Sequence, residues 1–219
     1  MGELTVIRWG FHAAVGLTAA AALLLTGCGE EGDGGKPGKS EGGDPSAAPS
    51  PTASEAAATG APAFDLPSDV EVSIEGFVGS NATEKEALHA TTYAIKAVLE
   101  AQVKGDGGTG NFERYWAGSQ GAAFADTIDD FGKSKTITGS FRYYRPVIKV
   151  TGKTTAGVTY CEDQRKAYAK NRKSGKVART TPSLDDFSKW SLGLAKSTSG
   201  DWQVIRYAYT ERAKTCQTG

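Results

Sequence analysis

The chain has 219 residues, of which 39% are hydrophobic, and it carries 25 basic and 25 acidic residues. This balance excludes the strongly basic surface that is typical of nucleic-acid-binding proteins, and we expect no nucleic-acid partner. The charges are unevenly placed. Residues 29–66 carry seven acids and two lysines, whereas residues 67–219 carry 22 Lys or Arg and 17 Asp or Glu. An acidic segment therefore precedes a mildly basic domain.

An apolar run from Ala13 to Leu25 follows a single basic residue, Arg8. Its length is typical of the apolar core of a signal peptide, and it is too short to span about 30 Å of hydrocarbon comfortably. The run closes with the sequence LTGC, ending at Cys28, which resembles the lipobox of bacterial lipoproteins. The resemblance implies removal of residues 1–27 and attachment of diacylglycerol to the Cys28 sulfur. Two acyl chains satisfy the requirement for stable anchoring, so we expect a lipid anchor on the extracytoplasmic face of the cell membrane. An ordinary secretory signal is the alternative.

Residues 28–63 are rich in Gly, Pro, Ser, Ala and Glu and contain neither an aromatic residue nor a hydrophobic period. Such a composition cannot bury enough apolar surface to offset the entropy lost on ordering. We interpret it as a disordered tether, with an average reach of about 30–35 Å for a flexible chain of this length. The folded domain is predicted to occupy residues 64–219.

The domain is predicted to begin with a strand and a long helix. Val70, Val72 and Ile74 alternate with polar residues at a period of two, which indicates a half-buried strand. Asn81 and Glu84 have the spacing of a capping box, and apolar residues then recur every three or four positions up to Lys104. The glycine-rich segment from Gly105 ends this helix.

One or two short helices and then four strands are predicted after it. The four segments are rich in β-branched and aromatic residues. In the first of them, Gly139 indicates a bulge and Pro146 a bulge or an edge position. Helices followed by a run of strands indicate an α+β fold, with a long helix and short helices on a curved antiparallel sheet. The predicted strands are 136–150, 154–168, 187–196 and 202–210.

This order of elements, over residues 81–212, resembles the NTF2-like (SnoaL-like, cystatin-like) cone. Residues 200–205 at the last strand, the sequence CEDQ at 161–164 and the sequence SGK at 174–176 further resemble small actinobacterial lipoproteins of this type. The resemblance implies a cone between helix and sheet, which in some members holds isomerase or dehydratase chemistry. A different helix-on-sheet α+β fold is the alternative.

Two cysteines, Cys161 and Cys216, remain once Cys28 is lipidated. An exported domain with two cysteines most often pairs them, and we predict a disulfide. A free catalytic thiol is the alternative, but it would need a basic partner, and only one histidine, His89, follows the signal peptide. One histidine and two distant cysteines do not have the spacing of a metal site. No cofactor motif is present, and we expect no cofactor.

The candidates for chemistry are few. His89 lies on the long helix, and Asp163 lies on the second of the four strands; either would be a general base if it faced the cone. Tyr143 and Tyr144 would then be hydrogen-bond donors to an oxyanion. For each of these residues the alternative is a structural role: an exposed helix position, a salt bridge, or packing on the sheet.

Two further sets of residues are candidates for ligand binding. Trp116, Trp190 and Trp202 either pack in the core or line a ligand-holding cone. Seven basic residues within a stretch of fifteen, with no acid among them, form either a solvated hairpin or a surface for anionic lipids or polymers. These residues are Arg165, Lys166, Lys170, Arg172, Lys173, Lys176 and Arg179.

The sequence therefore predicts a lipid-anchored extracytoplasmic protein with a non-catalytic binding or scaffolding domain. Its partners besides the membrane would be an anionic surface polymer, a small apolar ligand or another envelope protein. The alternatives are a small-molecule enzyme of the isomerase or dehydratase type and a carrier of an apolar ligand. Both of these need an open cone, and the enzyme also needs a base that faces it.

Overall fold

The computed structural model describes residues 61–217. The predicted signal peptide, the lipidation site Cys28 and nearly all of the predicted tether lie outside the described residues. Within the described range, no helix is both long and apolar enough to cross a membrane.

Helices and strands are segregated along the chain, as predicted. In the described residues one short strand precedes three helices, and five further strands follow. The α+β fold class, with a long helix and short helices packed on a curved antiparallel sheet, is confirmed. The elements are β1 (Val70–Ile74), α1 (Ala82–Lys104), α2 (Gly110–Tyr115), α3 (Gly118–Gly132), β2 (Lys135–Val150), β3 (Thr155–Asn171), β4 (Val177–Ala178), β5 (Phe187–Lys196) and β6 (Trp202–Glu211).

The start of α1 is fixed by the predicted cap. The Asn81 side chain accepts a hydrogen bond of 3.0 Å from the backbone N–H of Glu84. The Glu84 carboxylate in turn accepts one of 2.8 Å from the backbone N–H of Ser80. Two backbone donors that the helix cannot satisfy internally therefore find partners, which stabilises its first turn.

The end of α1 depends on a glycine and a distant arginine. Gly105 adopts a left-handed φ of 69°, and its N–H donates to the carbonyl of Ala101. A side chain there would come within 2.9 Å of the Cα of Gly132, so only glycine fits. Arg172, at the end of β3, donates to the carbonyls of Gln102 and Val103. A cation thus satisfies carbonyls at the negative end of the helix.

A buried carboxylate fastens the first described residues to α1. Glu100 accepts hydrogen bonds from the Asp65 N–H at 3.0 Å and from the Asn111 side chain at 2.7 Å. The same Asn111 amide donates to the carbonyl of Ala63. Lys104 forms an ion pair of 3.1 Å with Glu100. We call residues 61–66, held in this way, the strap.

The strands form a single sheet in the order β1-β2-β3-β5-β6, and the short β4 pairs with β3. The pairs β2–β3, β3–β5 and β5–β6 are antiparallel, as predicted. Strand β1 lies parallel to β2, with Val72 opposite Phe141, a pairing that the sequence does not predict. Parallel strands need a long crossover connection, and the three helices between β1 and β2 provide it.

The irregularities of β2 coincide with its predicted glycine and proline. Register shifts lie between Ser140 and Arg142 and between Tyr144 and Val147. Gly139 precedes the first shift with a φ of 96°, and a side chain there would collide with the carbonyl of Lys166. Pro146 lies within the second shift, where no ladder hydrogen bond is required of it. These bulges bend the strand and help curve the sheet around α1.

The main core fills the space between α1 and the concave face of the sheet, which we call the cone. Buried side chains of α1 meet alternate buried side chains of β2, β3, β5 and β6. The other side of the sheet, which we call the outer face, carries a small second cluster. Its members are Tyr144, Cys161, Phe187, Ala213 and Cys216.

The predicted disulfide joins Cys161 to Cys216, with the two Cα atoms 5.5 Å apart. Both cysteines are buried in the outer cluster. The Tyr144 hydroxyl donates to the backbone carbonyl of Cys216, and the Ala213 N–H donates to the carbonyl of Phe187. The C-terminal segment is therefore fixed to the outer face of the central strand.

Replacing both cysteines, Cys161→Ala with Cys216→Ala, should lower the free energy of unfolding by about 4 kcal/mol, because the unfolded chain is no longer cross-linked. Denaturant titration of both proteins under oxidising conditions measures the difference. Reductant should move the wild-type curve toward that of the double variant and leave the variant's own curve in place. Identical midpoints for the two oxidised proteins would contradict a stabilising role.

Candidate functional site

The cone holds a cavity of about 40 Å³. Ordinary ligand pockets measure roughly 300–1,000 Å³, whereas a buried water needs only about 10–15 Å³ of such volume. The space therefore accommodates a few water molecules and no drug-sized ligand. Its lining residues come from α1, α2–α3, β2, β3 and β5. They are Ile95, Val98, Leu99, Gln102, Trp116, Phe124, Phe131, Ile137, Phe141, Tyr143, Tyr160, Glu162, Gln164 and Trp190.

Half of the residues that line the cavity are aromatic. Trp116 is buried, packs edge-on against Phe124 at 4.9 Å, and donates its indole N–H to the carbonyl of Ala94 on α1. Across the cone, Tyr160 and Trp190 lie nearly parallel with ring centres 6.3 Å apart. Of the three tryptophans predicted either to pack in the core or to line the cone, Trp116 and Trp190 line the cavity. The third, Trp202, packs in the core away from it and donates to Glu86.

One carboxyl group faces the cavity, and it belongs to Glu162. This side chain is buried, with 4% of its residue surface exposed. Its two oxygens accept hydrogen bonds from the Trp190 indole at 2.7 Å and from the Gln164 amide at 2.8 Å. The Tyr143 hydroxyl also donates to it. The carboxyl is thus held by three neutral donors and by no cation of the described residues.

The electrostatics of the cone follow from this burial. Desolvation raises the pKa of Glu162 above its ordinary value, although the hydrogen bonds from Gln164, Trp190 and Tyr143 oppose the shift. Desolvation also raises the pKa of Tyr143 and of Tyr160 well above the usual range, and the nearby Glu162 charge adds to both effects. Both phenols stay protonated at neutral pH and remain hydrogen-bond donors.

Two further polar side chains, those of Gln102 and Tyr160, line the cavity. The Gln102 residue is 5% exposed and the Tyr160 residue 4% exposed. Together with Glu162 and Gln164 they give an otherwise apolar cavity its polar lining.

The two candidate bases from the sequence lie outside the cone. His89 is exposed on α1, with its ring 6.3 Å from that of Tyr93. Asp163 lies on the outer face, where its carboxylate accepts three hydrogen bonds from the Arg165 side chain and one from the Arg165 backbone. Burial opposes ionisation of Asp163, but these bonds and the positive charge of Arg165 outweigh it and lower the pKa.

The two candidate tyrosines, Tyr143 and Tyr144, lie on opposite faces of the sheet. Tyr143 faces the cone and donates to Glu162, whereas Tyr144 packs in the outer cluster. Glu162 is not among the predicted functional residues, yet the sequence contains a signal for it. Ala156, Val158 and Tyr160 are predicted on one face of a strand, and the next residue on that face is Glu162.

The basic stretch from 165 to 179 does not form one continuous patch. Arg165 and Lys170 form ion pairs of 2.7 and 2.9 Å with Asp163 and Asp69, and Arg172 caps α1. Three of the seven cations therefore serve internal contacts. The other four, which form no ion pair within residues 61–217, are Lys166, Lys173, Lys176 and Arg179.

No family model matches the chain, and no curated protein matches it. Among solved structures, the chain is similar to an NTF2-like superfamily protein from Salmonella enterica serovar Typhimurium LT2, with 19% identity, a TM-score of 0.43, and coverage of 63% of this chain and 99% of that one. It is also similar to a ketosteroid isomerase-like protein from Erwinia carotovora atroseptica, with 16% identity, a TM-score of 0.39, and coverage of 57% and 93%. At these values the likeness carries no conclusion about ligand or activity.

The substitution Glu162→Gln should flatten the pH dependence of stability. Because the pKa of Glu162 is raised in the folded state, folding takes up protons between the ordinary value near 4.5 and the raised one. The free energy of unfolding then falls as pH rises through that window. Denaturant titrations from pH 4 to 8 measure the slope for the wild type and the variant. Glu113→Gln, at an exposed position, is the control for loss of one acid. Superimposable profiles for wild type and Glu162→Gln would contradict the assignment.

Proposed function

We propose that this chain is a lipid-anchored protein of the extracytoplasmic membrane face, and that its folded domain binds or scaffolds without catalysing a reaction. The anchor rests on the sequence alone: the apolar run, the small residues and Cys28. The folded domain would stand off the bilayer on the predicted tether of residues 28–63.

The observation that carries the non-catalytic assignment is the filled cone. A cavity of about 40 Å³ leaves no room for an organic substrate beside Glu162. The Glu162 carboxyl is held in place by hydrogen bonds from Trp190, Gln164 and Tyr143, and none of its partners is a substrate group. A general base needs both the space and the reach.

A second function, acid–base chemistry in the cone, is favoured by one observation. A deeply buried carboxyl with a raised pKa, next to two protonated phenols, is a combination that enzymes use for proton transfer. This function requires the cone to open by several hundred Å³, with the Trp190 ring as the most direct obstacle.

The anchor is tested by the substitution Cys28→Ala. We expect the wild-type N-terminal peptide to begin at Cys28 with the mass of a diacylglyceryl group, and the protein to enter the detergent phase of a Triton X-114 partition. The variant should lack both properties, whereas Ser40→Ala, within the tether, should keep them. A lipid mass on the Cys28→Ala protein, or its absence from the wild type, would overturn the proposal.

The filled cone is tested with indole, an uncharged probe of the size of the ring that the variant removes. Wild-type protein should give no saturable binding of indole in calorimetric titration, and Trp190→Ala should create a site for it by removing a ring from the cavity wall. Trp190→Phe, which keeps an aromatic ring on the cavity wall, is the matched control. Saturable binding by the wild type, lost on addition of small aromatic ketones, would favour the enzyme.

A further inference from the structure

A second and larger concavity lies on the outer face of the sheet, with a volume of about 570 Å³. It is formed by β1, β2 and β3 and walled by the loop that contains Pro182. We call it the outer groove. Unlike the cone, it is lined largely by charged and hydroxyl side chains. Its lining residues are Glu71, Val72, Ser73, Ser140, Phe141, Arg142, Asp163, Arg165, Lys166 and Pro182.

Two arginines in the outer groove are held rigidly by carboxylates. Arg142 donates from Nε and Nη2 to the two oxygens of Glu75, at 2.8 and 2.9 Å. Arg165 donates from the same two nitrogens to Asp163, at 2.7 to 3.1 Å. Arg142 and Asp163 are directly opposite each other in the β2–β3 register, so both guanidinium groups lie side by side on neighbouring strands. Two like charges are kept close because each has its own counter-charge.

These ion pairs leave part of each guanidinium unused. A guanidinium carries five N–H donors, and a side-on pair through Nε and Nη2 occupies one edge. The Nη1 donors of Arg142 and Arg165 have no hydrogen-bond partner within residues 61–217. The two side chains are 32% and 45% exposed, so these donors are accessible from the groove.

The surroundings add positive charge and rigidity. Lys166 is exposed on the groove wall and forms no ion pair within residues 61–217. The Arg142 guanidinium lies 4.3 Å from the centre of the Tyr144 ring, and Arg145 lies 5.9 Å from it. Tyr144 itself is fixed by its hydrogen bond to Cys216 in the disulfide-bonded segment. The cations are therefore preorganised, and little side-chain entropy is lost when an anion binds.

Acceptors and hydroxyls lie beside these cations. The Ser140 hydroxyl donates to Glu71 at 2.7 Å, and the Ser73 hydroxyl donates to Glu75 at 2.9 Å. A ligand that pairs with the arginines would therefore also meet carboxylate acceptors suited to its own hydroxyl groups. The combination fits a molecule with both acidic groups and many hydroxyls.

We propose that the outer groove binds an acidic sugar chain, whose carboxylates accept hydrogen bonds from the free edges of Arg142 and Arg165 and pair with Lys166, while its hydroxyls donate to Glu71. This inference goes beyond the proposed function. It needs neither the lipid anchor nor any event in the cone.

The test is calorimetric titration of the protein, purified in neutral detergent micelles, with a tetrasaccharide of alternating glucuronate and N-acetylglucosamine. A neutral tetrasaccharide of N-acetylglucosamine is the matched probe. We expect binding of the acidic sugar only, weakening as salt rises. Arg142→Gln and Lys166→Gln should each weaken it about tenfold, the factor for losing roughly one charge-assisted hydrogen bond.

Two control variants make the result specific. Lys173→Gln removes the same charge from an exposed turn outside the groove, and Glu113→Gln alters an exposed position on α2; both should bind like the wild type. Circular dichroism verifies that each variant is folded. Equal binding of the neutral sugar, no binding of the acidic one, or unchanged affinity in Arg142→Gln and Lys166→Gln would overturn the proposal. Displacement of the sugar by phosphatidylglycerol added to the micelles at equimolar amounts would overturn it in favour of a lipid headgroup.

Discussion

The alternation of side chains along β3 is the constraint on which both faces of the sheet depend. Successive residues of a strand point to opposite faces, so Cys161 and Asp163 lie on the outer face while Glu162, between them, lies in the cone. Strand β3 also pairs with β2, β4 and β5, so its register fixes theirs. A slip by one residue would bring Asp163 among the aromatic rings and carry Cys161 away from Cys216.

Two adjacent carboxyl groups show how strongly the surroundings determine charge. For both Glu162 and Asp163, burial is the largest influence and opposes ionisation. At Asp163 the guanidinium of Arg165 supplies several hydrogen bonds and a full positive charge, so the pKa is lowered. At Glu162 the donors are neutral, so the effect of burial is larger and the pKa is raised. The sheet thus separates a favourably charged face from an interior where a negative charge is costly.

Much of the fold could be predicted from the sequence, because its signals are local. The cap at Asn81 and the period-two alternation of β3 and β5 are each formed by residues that lie only a few positions apart in the sequence. Partner choice is not local, and the parallel pairing of β1 with β2 depends on a crossover of three helices. The position of Glu162 could be predicted by extending the alternation past Tyr160. Its donor Trp190 lies 28 residues away on another strand, and no spacing in the sequence indicates that contact.

The strap would have a mechanical consequence if the proposed tether pulled on the domain. A pull from the N-terminal side reaches the strap before it reaches β1, an edge strand of five residues that would peel easily from the sheet. The hydrogen bonds of Glu100 and Asn111 pass that load to α1, the longest helix of the described residues. Tension would thereby be diverted from the strand that borders the outer groove, and the groove would keep its shape under that force.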